Sequence, residues 1–390
     1  MNPITDKYLS DARKIVVIGA GKIGRSFIGQ LFSRAGYEVI FIDIRRELIN
    51  HINFTRTYRV IIKDNSGDKI LNIGNIRGIC SEDEDDVINE LAGSDIAAIS
   101  VGQQGIQSLI PVIAKALILR RQKYGDQPLD FIIAENMRNS DTFIRSGLNL
   151  YLPLDYPVGR LVGLVETSIG KMVPIMSDKD TEEDPLQVFA EPYNTLIVAR
   201  NGFRNPIPEV KEIDAKKNIK AWVDRKIFIH NLGHATSAYL GFLKHPEAIY
   251  VYEVLSDPLV FNATRDTMLQ SADILMALYP GEFTVSGLTG HIDNLLHRFM
   301  NRTLGDTIYR VGCDLHRKLG PDDRLVAPVK AAIGLNMPYD LIYNVIIAAI
   351  SFRATDEHGR HMEKDEAFFS EAAKGPDHIL KTLCRLDFPV

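Results

Sequence analysis

The segment Lys14-Ile-Val-Val-Ile18-Gly19-Ala20-Gly21-Lys22-Ile23-Gly24 leaves the start of this chain few folds to choose from. A short β-branched run passes directly into three glycines spaced G-x-G-x-x-G. Phe27, Ile28, Leu31 and Phe32 then recur at helical intervals up to Gly36, and Glu38 to Asp43 reads as a second strand. This is a strand–helix–strand unit of the dinucleotide-binding kind. Gly19 permits the tight turn, Gly21 lets backbone approach a pyrophosphate, and Gly24 brings helix against strand. The helix start, with Lys22 and Ile23, faces the phosphates with free N–H groups and the positive end of its dipole. Asp43 closes the second strand, where a carboxylate accepts from a ribose 2′-OH and repels a 2′-phosphate, so NAD is expected over NADP. Arg45 and Arg46 just beyond read as solvated charges at a helix start.

The rest of the first half continues the pattern. Tyr58 to Lys63 and Lys69 to Cys80 are short strands with no helix between them, which suggests a hairpin or meander at the sheet edge. The acidic run from Glu82 to Asp86 has no ligand spacing and reads as a helix start, with no metal expected. Asp95 to Val101 is a buried strand ending at Gly102, where a loop would pass beside the cofactor. Leu129 to Ala134 is another, carrying Asn136 just past its C-terminal end, the side on which open α/β sheets bind ligands. Further strands are expected at Leu161 to Val165, Lys171 to Ile175 and Thr195 to Ala199. Asn205-Pro206-Ile207-Pro208 then breaks the chain. The expected organisation is a mainly parallel α/β domain over 1–205 and a mostly α-helical domain over 206–390.

Within the helical part, Lys226-Ile-Phe-Ile-His230-Asn231-Leu-Gly-His234 stands out. On an α-helix at about 100° per residue, Lys226, Asn231 and His234 fall near 0°, 140° and 80°, so all three project from one side. A cation, an amide and an imidazole then share a face. An amphipathic helix with a snorkelling lysine would use the same residues.

Composition narrows the function classes. The 390 residues suggest two domains. A net charge of −5 gives no reason to expect nucleic acid or an anionic membrane as partner. No apolar run is long enough to span a bilayer, and Met1 to Lys14 lacks a signal-peptide core. Cys80, Cys313 and Cys384 are scattered without a CxxC pair, which fits reduced thiols in a cytoplasmic protein. The expected partner is a small molecule, and the assembly a monomer or small homo-oligomer.

Five stretches carry a family resemblance: GAGKIGRSFIGQ, FIIAENM, EPYNTLIVARNGF, DRKIFIHNLGHATSAYLG and RVGCDLHRKLGPDDRLVAPV. With them the chain resembles the polyol-specific long-chain dehydrogenases over almost its whole length, closest to the mannitol-1-phosphate 5-dehydrogenase branch. The resemblance implies a zinc-independent hydride transfer between a sugar alcohol, such as mannitol 1-phosphate, and its ketose, such as fructose 6-phosphate. It makes Lys226 the general base and acid, Asn136 and Asn231 the amides that donate to the substrate oxygen, and His234 a substrate-positioning residue. His230 does not match the signature and reads as packing. Arg310 and Lys318 match polyol-contacting positions, and Arg317 beside them suits a phosphate. One departure stands out: the family's usual Asp-Arg pair is replaced by Gly170-Lys171, and Glu166 is the nearest acid to stand in for it. Two other readings stay open. One is a hexuronate reductase whose Arg310, Arg317 and Lys318 bind a carboxylate. The other is an NAD-binding sensor or scaffold without turnover.

Overall fold

The computed structural model describes residues 13–135 and 137–386. It divides into two compact units, Met1–Ile219 and Lys220–Val390. No helix among the described residues is long and apolar enough to cross a membrane.

The strands of the first unit, in chain order, are Lys14–Ile18 (β1), Glu38–Asp43 (β2), Tyr58–Ile62 (β3), Lys69–Ile73 (β4), Ile76–Cys80 (β5) and Ile96–Ile99 (β6). Leu129–Ile133 (β7), Val162–Ser168 (β8), Val188–Ala190 (β9), Leu196–Ala199 (β10) and Ile213–Lys216 (β11) follow. Eight of them form one sheet in the order β11-β10-β8-β7-β6-β1-β2-β5. From β5 through to β8 every pairing is parallel, and β10 joins β8 antiparallel. Continuous apolar runs such as Lys14–Ile18 suit this sheet because helices cover both faces, so neither face needs polar side chains. The expected α/β architecture is present. The edge differs in one respect: β5 joins the large sheet, while β3 pairs with both β4 and β9 in a separate three-stranded sheet.

The expected strand from Lys171 to Ile175 does not form. The reason lies in its side chains. The Lys171 ammonium is buried and donates to the carbonyls of Glu191 and Tyr193 at 3.0 and 2.7 Å and to Asn194 Oδ1 at 3.0 Å. The Met172 N–H goes to the Glu191 carboxylate instead of a neighbouring strand. Beyond the Pro206–Pro208 break the chain returns to the sheet as β11, which pairs with β10. Asp130, buried in β7, organises that return. Its Oδ1 accepts the Arg204 N–H at 2.7 Å, and its Oδ2 accepts the Asn205 N–H at 3.0 Å.

The regular elements of the second unit are helices, joined by turns and one isolated bridge between Tyr250 and Thr307. Ile219–Arg225, Lys226–Asn231 and Leu232–Lys244 run on as one element whose middle segment is a π-helix. Pro258–Leu278 packs against it, Asp257 capping its first turn through the Leu259 N–H at 2.8 Å. Val285–Phe299, Ile308–Gly312, Leu315–Lys318, Val326–Leu335 and Asp340–Ile350 complete the elements used below.

Asp130→Ala removes the acceptor for two backbone donors. A loss of about 3 kcal/mol in unfolding free energy is expected, since each buried donor left unpaired costs about 1–3 kcal/mol. An unchanged urea midpoint would show that water replaces the carboxylate.

Candidate active site

In the first unit the glycine turn is shaped as its spacing requires. Gly19 has φ 101°, and a Cβ there would lie 2.0 Å from the Ser100 carbonyl oxygen. A Cβ on Gly24 would lie 2.0 Å from the Gly19 oxygen. At Gly21 it would meet nothing within 4 Å, so the backbone lies bare beside open space. That open cradle at a helix start fits a pyrophosphate. Lys22 is exposed and Ile23 half-buried at the same place.

Asp43 sits at the end of β2 and braces the turn. Its Oδ2 accepts the Ala20 N–H at 2.9 Å, and its Oδ1 accepts the N–H and Nε–H of Arg45, both at 3.0 Å. Burial opposes its charge, but the hydrogen bonds from Arg45 and Ala20 outweigh it and hold the carboxyl below its ordinary pKa. Arg46 is turned away onto Glu82 and Asp83. Gly102, at φ 80°, donates its N–H to the Glu135 carboxylate at 2.7 Å, tying the loop after β6 to the end of β7. Asn136 lies outside the described residues. Gly170 abuts the Tyr193 ring, and Glu166 is buried in β8 opposite Ile133.

In the second unit, Lys226, Asn231 and His234 come from one continuous helical element, but its geometry is not that of an α-helix. From Lys226 to Asn231 the turn is π-helical, and the Leu232 N–H reaches back five residues to the Ile227 carbonyl. A turn closed at i→i+5 needs more residues to come round. Asn231, five residues after Lys226, is therefore swung back toward it rather than standing about 140° away. Burial lowers the Lys226 amine to about 7, with the Arg324 guanidinium pushing the same way and Asp323 opposing. Asn231 is half-buried, and its side-chain amide has no partner among the described residues.

His234 stacks on Phe299, with centroids 4.7 Å apart and planes 10° from parallel. Its Nε2 lies 3.0 Å from Asp306 Oδ2, but off the direction of a hydrogen bond. Burial first, then Arg310, Arg324 and Lys318, pull the imidazole down to about 3, so it is neutral at ordinary pH. His230 is buried beside this stacked pair, 6.5 Å from the His234 ring and 5.7 Å from that of Phe299.

The three expected substrate cations are placed differently from one another. Arg310 is exposed and pairs with Asp306. Lys318 is buried and donates to the Val311 carbonyl at 2.6 Å. Arg317 is engaged by two carboxylates, Asp314 and Asp323.

A family model described as the mannitol dehydrogenase Rossmann domain matches residues 13–212, and one described as the mannitol dehydrogenase C-terminal domain matches 218–382. The chain belongs to the mannitol dehydrogenase family. It is an oxidoreductase of the polyol dehydrogenase class, served by a nicotinamide cofactor in a Rossmann-type unit. A relative from Buchnera aphidicola subsp. Acyrthosiphon pisum, named mannitol-1-phosphate 5-dehydrogenase, is 28% identical over 97% of this chain and 94% of its own. One of the same name from Buchnera aphidicola subsp. Schizaphis graminum is 32% identical over 86% of this chain and 85% of its own. The fold is that of Pseudomonas fluorescens mannitol 2-dehydrogenase, solved with NAD and D-mannitol, at TM-score 0.72 and 19% identity over 93% of this chain and 85% of that one. A D-sorbitol dehydrogenase matches at TM-score 0.77 and 16% identity, over 93% of this chain and 86% of that one.

Three residues escaped the sequence reading. Asp306 joins His234 to Arg310, although no motif marks an aspartate four residues before an arginine. Arg324 acts on Lys226 from 98 positions away. Arg25, beside the last glycine of the fingerprint, is buried and donates Nε–H to the Ala20 carbonyl at 2.8 Å and Nη1–H to the Leu186 carbonyl at 2.6 Å.

Gly21→Ala separates folding from binding. A methyl there meets no protein atom, so the thermal midpoint should stay within about 1 °C, a shift worth under about 1 kcal/mol for a chain of this size. NADH affinity should fall at least about tenfold because the methyl stands where backbone meets phosphate. Undiminished NADH binding by fluorescence titration would move the cradle elsewhere.

Proposed function

We propose that this enzyme interconverts a hexitol phosphate, mannitol 1-phosphate, and its ketose, fructose 6-phosphate, using NAD, with Lys226 as general base and acid and no metal. The observation that carries this reading is the Lys226 amine, lowered to about 7 on the turn that also carries Asn231. An ordinary lysine, with a pKa near ~10.4, stays protonated at neutrality. One near 7 takes the alcohol proton and returns it to the ketone oxygen with nearly equal ease.

The nicotinamide, once bound, supplies the hydride acceptor and donor. The surrounding side chains do the rest. The Asn231 amide donates to the substrate oxygen as negative charge grows there, and Asn136 is proposed as its companion. A fixed donor of this kind is worth roughly 2.7–4 kcal/mol in the transition state. A neutral His234 offers one donor and one acceptor to sugar hydroxyls. Arg310 provides a guanidinium for the phosphate, a reading favoured by the names of the Buchnera relatives. The ionised Asp43 favours NAD, since a 2′-phosphate would face its negative charge.

Lys226→Ala should lower turnover by about 100- to 10,000-fold, the usual worth of a general acid–base group, with NADH affinity within about twofold of wild type. Unchanged turnover would remove the lysine from the mechanism. In the wild type, polyol oxidation should rise with pH through about 7 and level off, because the base must be unprotonated. Ketose reduction should fall through the same window, because the acid must be protonated. A flat profile in both directions would contradict the assignment. Steady-state assays with fructose 6-phosphate, fructose, tagaturonate and fructuronate test the substrate. The phosphorylated ketose should lead by more than about tenfold, the least that one lost methylene-sized contact gives, and a uronate in first place would overturn the choice.

A further inference from the structure

Among the cations of the second unit, Arg324 is held in a way that the proposed chemistry leaves unused. Its side chain is largely buried, 14% exposed, so its position is set by protein rather than by solvent. Its Nε–H and backbone N–H both go to Asp323 Oδ1, at 2.8 and 2.6 Å. That leaves the two terminal nitrogens, Nη1 and Nη2, without a partner among the described residues. The other Asp323 oxygen, Oδ2, accepts from Arg317 Nη1 at 3.1 Å, and Arg317 in turn is paired with Asp314. A row of alternating charges, Asp314–Arg317–Asp323–Arg324, thus runs from a surface turn inward and fixes the direction of the last guanidinium.

We infer that Arg324 is the residue that reads the substrate's phosphate, its two unengaged terminal nitrogens gripping two phosphate oxygens with Arg310 completing the cation pair. This rests on the hexitol phosphate reading above and names the group that enforces it. A planar guanidinium anchored through Nε presents its outer edge as two parallel N–H donors, the arrangement that matches a tetrahedral oxyanion. The alternatives are already committed: Arg317 to two carboxylates, Lys318 to the Val311 carbonyl. Arg324 also lies in the right neighbourhood. Its charge is felt at Lys226, at His234, at Lys318 and at Tyr239, whose hydroxyl donates to the Gly312 carbonyl at 2.9 Å beside the Val311 carbonyl that Lys318 holds. Asp323 meets the Arg324 guanidinium through Nε alone, so the outer edge of the guanidinium is open to an anion.

The test compares kcat/KM for fructose 6-phosphate and for fructose in wild type, Arg324→Gln and Arg324→Lys, with NADH titration and thermal midpoints as checks on folding. The preference for the phosphorylated ketose should fall at least about 30-fold in Arg324→Gln, within the range for a lost hydrogen-bonded charge. Competitive inhibition by inorganic phosphate should weaken in parallel. Arg324→Lys, which keeps the charge but not the fork, should lose about tenfold, and decides the matter if the glutamine variant does not fold. Removing the guanidinium also lets the Lys226 amine rise, so the alkaline limb of ketose reduction should move to higher pH, a change that a purely structural role would not produce. A wild type that prefers the phosphate, with that preference intact in both variants, overturns this inference alone. A wild type with no such preference overturns the substrate reading, and this inference with it.

Discussion

The hydroxyl of Ser271, donating to the Phe228 carbonyl at 2.7 Å, is the contact on which the chemistry of the second unit rests. A wide turn closed by an N–H five residues on disturbs the normal pairing, and a buried carbonyl left alone costs about 1–3 kcal/mol. Ser271, fully buried on helix Pro258–Leu278, gives the Phe228 carbonyl a partner from outside the turn. The same helix comes close because Gly233 has no side chain: a Cβ there would stand 2.4 Å from Met268 Sδ. Two helices packed this tightly keep the wide turn open, and the wide turn is what sets Lys226 and Asn231 together.

Around that turn the electrostatics lean one way. Lys226 and Lys318 lie where burial and the Arg324 guanidinium both disfavour positive charge, and burial acts the same way on Arg310. Lys226 responds by falling to about 7 and His234 by staying neutral, whereas an arginine keeps its charge under such conditions. One environment therefore produces an amine ready to exchange protons beside guanidinium groups that remain cations. Asp306, paired with Arg310, and Asp323, paired with Arg324 and Arg317, keep this arrangement tolerable.

Much of the first unit was readable from residue order alone. The glycine spacing, the apolar strands and Asp43 are local features, and the Rossmann geometry follows from backbone sterics at Gly19 and Gly24. Helicity in the second half was equally plain. Distant pairing was not. Nothing near Lys171 announces that its ammonium will be satisfied by the 191–194 segment, so a β-like run was read where none forms. A regular α-helix also puts Lys226, Asn231 and His234 on one side, and the π-turn does not show in the local sequence because Ser271, which bonds it, lies 43 residues beyond Phe228. The charge of Arg317 shows in a sequence, whereas its engagement by Asp314 and Asp323 does not.

The row of alternating charges that ends at Arg324 also couples the pocket to the surrounding medium. Its outer member, Arg317, is about half exposed, with 53% of its side chain accessible, while its inner member is nearly enclosed. Dissolved ions screen exposed charges over about 8 Å at physiological ionic strength and about 3 Å at 1 M. Salt therefore loosens the outer links first and leaves the inner pair tight.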